Sequence, residues 1–130
     1  MDLNEVLLIA LNNRASDIHF KVGQPPILRI DGELVPLKDY SAMDSSQVAK
    51  LAYQIMNERQ RERFLRDREI DMGYGIAGLG RFRVNIFQQR GTIAIALRVI
   101  PFGIKGFEEL NLPVEVMKRI SMETRGLVLL

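Results

Sequence analysis

From Arg81 to Val99 the chain alternates apolar and polar residues in two runs, and this alternation constrains the fold more than any other feature. In Arg81-Phe82-Arg83-Val84-Asn85-Ile86-Phe87 the period of two sends Phe82, Val84 and Ile86 to one side of an extended strand and Arg81, Arg83 and Asn85 to the other. The returning run, Thr92 to Val99, puts Ile93, Ile95, Leu97 and Val99 on one face and Ala94, Ala96 and Arg98 on the opposite one. Joined through a connection around Gln88 to Gly91, the two runs form an antiparallel pair with one face in a core. Matching their apolar faces sets the parity of the register.

That parity places Arg98 directly across from either Arg81 or Arg83, with small alanines leaving space beside them. Three guanidinium groups then share one patch. Two like charges about 6 Å apart repel by roughly 1–3 kcal/mol at the effective dielectric of a protein surface, so the patch invites a compensating anion. Planar, always-charged arginine suits a phosphate bidentately. Pairing of these arginines with Glu69, Asp71 or Asp31, or plain solvation, would satisfy the same charges, and periodicity does not choose between the two readings. Arg90 lies in the turn, where long charged side chains are commonly exposed.

The remaining segments surround this hairpin with helices and further strands. Leu3, Val6, Leu7, Ala10 and Leu11 repeat at helical spacing behind Asp2 or Asn4 as a cap. Asp17 to Val22 alternates as a strand, ended by Gly23-Gln24-Pro25-Pro26, whose prolines shape a turn. Ile27 to Ile30 and Glu33 to Leu37 flank Asp31-Gly32, a dipeptide suited to a tight hairpin turn. Asp44 and Ser45 open a helix carrying Val48, Leu51, Ala52, Ile55 and Met56 on one face. Asn57 and Gln60 form a capping-box pair for a second helix to about Asp67, whose alternating arginines and carboxylates read as a solvated face or a subunit interface. Glu69 to Tyr74 reads as another strand, and Pro113, Val116, Met117 and Ile120 outline a final helix with the proline in its first turn. Gly126 to Leu130 reads as an apolar strand that nothing follows to cover, which points to a truncated domain.

Composition narrows the function. With 47% apolar and 26% charged residues the 130-residue chain can bury one core, while a net charge of +2 is too small to imply nucleic-acid or acidic-membrane binding. Cysteine is absent and His19 is the single histidine, which argues against disulfides, thiolate sites and a zinc cluster. His19 falls on the polar face of its strand, where a lone histidine reads as a surface or hydrogen-bonded residue. The acidic start of the chain and the lack of an apolar run near 20 residues point to an intracellular protein that reaches membranes through partners.

Ser16-Asp17-Ile18-His19, Gly23-Gln24-Pro25-Pro26 and Arg29-Ile30-Asp31-Gly32 together resemble the opening signature of PilT-type twitching-motility ATPases, of the type II/IV secretion ATPase superfamily. Gly80 to Phe87, Gln89-Arg90-Gly91, Arg98, Ile100-Pro101 and Leu110-Asn111-Leu112-Pro113 continue that resemblance in order. It implies an α+β, PAS-like N-terminal domain, with a mainly antiparallel sheet packed with helices, over residues 1–100. An interdomain linker would span 101–112, and 113–130 would be the helix and first strand of a truncated RecA-like ATPase domain.

The phosphate loop G-x-x-x-x-G-K-[ST] that such a domain needs is absent from this sequence, so the chain alone is expected to be inactive and to bind no cofactor tightly. In the full-length protein the resemblance implies ATP and Mg2+, with Arg83 and Arg98, then Arg81, stabilising charge on the terminal phosphate. It puts Leu112 and Pro113 near the adenine, although a helix start with buried leucines explains them equally. It further implies a homo-hexamer built through neighbouring core domains. Such a motor would be cytoplasmic, peripheral to the inner membrane through pilus assembly proteins, would drive pilus retraction, and would bind no nucleic acid nor insert into the membrane. The competing reading is a non-enzymatic PAS-like module that binds a small anion or a protein partner.

Overall fold

Asp2 starts the first helix by accepting the Asn4 backbone N–H at 3.0 Å, and α1 (Leu3–Asn12) buries Leu3, Val6, Leu7 and Ala10 along one stripe. The computed structural model describes residues 2–129. They divide into two units, one ending at Ile100 and one beginning at Pro101.

In the first unit six strands follow the predicted alternation: β1 (Asp17–Lys21), β2 (Ile27–Ile30), β3 (Glu33–Pro36), β4 (Glu69–Ile76), β5 (Gly80–Gln89) and β6 (Thr92–Ile100). They form one sheet in the order β3-β2-β1-β6-β5-β4, antiparallel at every pairing. The α+β class with a mainly antiparallel sheet is therefore the one expected. Ile18, Phe20, Leu28, Ile70, Phe82, Val84, Ile86, Ile95 and Leu97 all point to one side, where they meet the buried stripes of α1 and α2 (Ser45–Ile55) and the buried Phe64 of α3 (Glu58–Asp67). The other side carries Asp17, Arg29, Asp71, Arg81, Arg83 and Arg98, and among the described residues no element of this unit covers it.

Two turns set the register. Asp31 and Gly32 (φ 49° and 87°) and Arg90 and Gly91 (φ 50° and 82°) are both two-residue turns with positive φ at each position, the form whose twist matches a β-hairpin. The connection after β5 is thus Arg90-Gly91, shorter than the expected Gln88 to Gly91.

α2 and α3 each begin with a reciprocal capping box, Asp44 with Gln47 and Asn57 with Gln60, at 2.8–3.0 Å. Replacing Asp44 with alanine removes an acceptor from the start of α2 and is expected to cost roughly 0.5–2 kcal/mol, read as a lower denaturant midpoint at unchanged slope. The charged face of α3 is only partly the solvated face its sequence suggests. Arg61 Nε and Nη2 donate to the Tyr53 carbonyl at 3.1 and 2.6 Å, Nε also reaches the Met56 carbonyl at 3.1 Å, and the guanidinium lies 6.0 Å from the Tyr53 ring centre. Arg61 thereby satisfies carbonyls left open where α2 ends.

The second unit holds α4 (Val114–Ser121), with Pro113 at its N-cap, one position before the first turn. The strand expected at 126–130 is not formed over 126–129, where among the described residues no ladder partner pairs with the backbone and Leu127 and Leu129 are largely exposed. Leu130 lies outside the described residues.

Candidate anion-binding site

Register assembles the site. Arg29 on β2, Asp17 on β1, Arg98 on β6 and Arg83 on β5 stand in one cross-strand row, each facing the next. The next position on β4 is Gly73, which has no side chain. The two-residue turn selects Arg83 as the residue opposite Arg98; Arg81 lies two positions along β5, facing Ile100. All three predicted arginines thus share the uncovered face, and Ala96 and Asn85 floor a shallow depression of about 380 Å³ between Asp17, Asp71, Arg83 and Arg98.

Carboxylates separate the charges. Arg98 Nε donates to Asp17 Oδ1 at 2.9 Å, and Arg29 Nε lies 3.5 Å from Asp17 Oδ2. Arg83 donates from Nε to both Asp71 oxygens at 3.2 Å and from Nη2 to Oδ2 at 2.5 Å. The carboxylate partner expected for Arg83 is therefore present, while Glu69 accepts from Asn85 Nδ2 at 3.0 Å. Among the described residues Arg81 makes no ion pair.

Asp17 and Arg29 belong to this site although neither was singled out for it in the sequence. Asp17 is the buried one: its side chain is 13% exposed, against 72% for Arg98. Burial raises its pKa, but hydrogen bonds from Arg98 and Ser16 and the charges of Arg98 and His19 outweigh that and hold it below the ordinary carboxylate value. The Arg83 hydrogen bond lowers Asp71 in the same way. The strand character of Asp17 was legible; its pairing with Arg98, 81 residues away, was not.

His19 is half-buried on the same face, and its Nε2 is enclosed with no hydrogen-bond partner among the described residues. Burial pushes the imidazole below its ordinary value, Asp17 pulls the other way, and the Arg29 charge adds to the lowering. The unfolded chain then binds the proton first, so His19 contributes stability that is complete above about pH 6.5 and is lost as pH falls toward the folded-state pKa. His19→Gln is expected to flatten stability against pH just below about pH 6.5, measured by urea unfolding at each pH. An unchanged slope would contradict it.

The other predicted pair lies in the second unit. Leu112 is half-buried with its N–H donating to the Phe107 carbonyl at 2.9 Å, Pro113 is exposed, and Leu110 is 48% exposed, so burial of the two leucines does not explain the segment. Among the described residues no group of three or more His, Asp or Glu could hold a metal ion, and no helix is long and apolar enough to cross a membrane. The arginines fit the charge of a phosphate, whereas nothing in the sequence provides the amide cradle and lysine of a phosphate loop.

No family model matches the chain. It is 39% identical over 129 residues to the type IV pilus retraction ATPase PilT of Pseudomonas aeruginosa, covering 99% of this chain and 37% of that protein. It is 32% identical over 129 residues to the type IV pilus ATPase PilU of the same organism, covering 99% and 33%. A crystal structure of the pilus retraction motor PilT with bound ADP matches with a TM-score of 0.81 at 40% identity, over 91% of this chain and 34% of that one. The chain spans about a third of the length of these relatives. By this homology the chain belongs to the type II/IV secretion ATPases. Within them it corresponds to the N-terminal domain of the PilT kind.

Proposed function

We propose that this domain is the nucleotide-sensing half of a hexameric motor ATPase that retracts type IV pili, with Arg83 and Arg98 meeting the terminal phosphate of ATP held by a core domain. The observation that carries the reading is the facing pair Arg83 and Arg98 on a sheet surface that no element of its own unit covers. A guanidinium aimed at a transferring phosphoryl group stabilises charge that grows in the transition state, and it needs no chemistry of its own. Arg81 is the third candidate, set further along the same face.

The core domain supplies the phosphate loop and the Mg2+ site in this reading, with residues 101–112 as the linker to it and residues 113–130 as its beginning. Leu112 and Pro113 lie toward the adenine. Closure of the two domains on ATP and their opening after hydrolysis would transmit motion to inner-membrane pilus assembly proteins from the cytoplasmic side. The domain alone holds no nucleotide tightly.

The test is ATP turnover and pilus retraction in the complete protein carrying Arg83→Ala or Arg98→Ala. Loss of both activities is expected. Unchanged turnover would overturn the assignment and leave the face as a docking surface for an anion or a protein.

A further inference from the structure

We propose that the two facing arginines are not equivalent: Asp17 positions Arg98 for a phosphate, whereas Asp71 competes with a phosphate for the Nε–Nη2 edge of Arg83. This rests on the anion reading of the site given above.

The difference lies in which nitrogens each carboxylate uses. Asp17 takes only Nε of Arg98, and among the described residues no hydrogen bond engages the two terminal nitrogens of Arg98. Asp71 takes Nε and Nη2 of Arg83 together, the same edge that would bind two oxygens of a phosphate. One contact orients a guanidinium and leaves its fork open. The other takes Nε and one terminal nitrogen together and leaves only Nη1 without a partner among the described residues.

The surroundings make the first contact firm and the second exchangeable. Asp17 is nearly enclosed, accepts from Ser16 Oγ at 2.8 Å, and is flanked by Arg29, whose Nη1 is itself tied to the Gly32 carbonyl at 2.8 Å. Its carboxylate therefore sits in a built cradle in the interior of the sheet. Asp71 is on the edge strand β4, its side chain is 44% exposed, and Arg83 is its one side-chain partner among the described residues. Gly73 opposite Arg83 adds no side chain to confine the pair, and space around it is open. A solvated carboxylate on an exposed arginine yields to a more highly charged anion of the same geometry.

Opposite effects of two matched substitutions follow. Asp17→Asn and Asp71→Asn add the same charge to the chain, so a general field effect would strengthen anion binding in both. Unequal roles require opposite signs. Inorganic tripolyphosphate is titrated into the 130-residue chain and followed by NMR of the arginine Nε–H groups, with thermal unfolding of each variant measured alongside. Asp71→Asn is expected to tighten binding about tenfold and to release the Arg83 signal before any ligand is added, and Asp17→Asn to weaken it about tenfold, each being worth one charge-assisted hydrogen-bonded contact.

If Asp17→Asn does not fold, Asp17→Glu keeps the charge, displaces the carboxylate by one methylene and should weaken binding likewise. Equal tightening in both asparagine variants would overturn the inequivalence while leaving the anion site in place. No response of the Arg83 and Arg98 signals to tripolyphosphate in any variant would overturn the anion reading itself and this proposal with it.

Discussion

Phe20→Ala is expected to destabilise the first unit by about 3–5 kcal/mol, the range for removing a fully buried aromatic side chain from a packed core. Phe20 is 0% exposed and sits on β1 with the helices over it and β2 and β6 on either side. Its cross-strand neighbour Ile95 is 1% exposed, and both point into the same cluster. Truncation would leave a cavity under the centre of the sheet, where flanking strands prevent the backbone from collapsing into it. Since small domains are stable by only about 5–15 kcal/mol, the variant should be partly unfolded near 37 °C. Urea unfolding followed by circular dichroism measures this, and a loss below about 1 kcal/mol would mean that the core is packed elsewhere.

If Arg98 meets the terminal phosphate as proposed, Arg98→Ala in the complete protein is expected to lower ATP turnover by about 10²–10³-fold, the usual cost of deleting one charge-stabilising donor from a transition state. The fall should appear in kcat more than in KM, because a contact of that kind strengthens as charge develops on the phosphoryl oxygens. Arg98→Lys is not expected to restore it. Lysine cannot keep a hydrogen bond to Asp17 through one nitrogen while offering two others to a phosphate. Equal kcat in the alanine variant and the parent would remove Arg98 from the chemistry and leave its Asp17 pair as a structural contact.

Local patterns accounted for most of the fold. The stripe Leu3, Val6, Leu7 and Ala10, the face Val48, Leu51, Ala52 and Ile55, and the two alternating runs around Arg90-Gly91 each report burial on one side of an element, and each is buried as its spacing requires. Asp31-Gly32 and the Asn57-Gln60 box worked because turn and cap chemistry act within three or four residues. The strand expected at Gly126 to Leu130 is not formed over 126–129, where the signal was not local. An apolar run is a strand only if another backbone pairs with it, and residues 126–129 have no such neighbour. Arg61 was missed for a related reason, since its task is to satisfy carbonyls of the preceding helix.

The arginine face divides along the same line. The sequence by itself determined that Arg81, Arg83 and Arg98 share the polar side of a hairpin, because the pleat has a period of two and apolar residues must face the core. It left two registers of equal parity, and alternation is blind to a slip of two residues. The two-residue turn at Arg90-Gly91 chose between them and set Arg83 against Arg98. Pairing of β1 with β6 then brought Asp17 beside Arg98, and the edge position of β4 put Asp71 within reach of Arg83. Those neighbours come from strands far apart in the chain, brought together as the whole sheet buries its common apolar face. Only the tertiary structure decides which carboxylate meets which arginine.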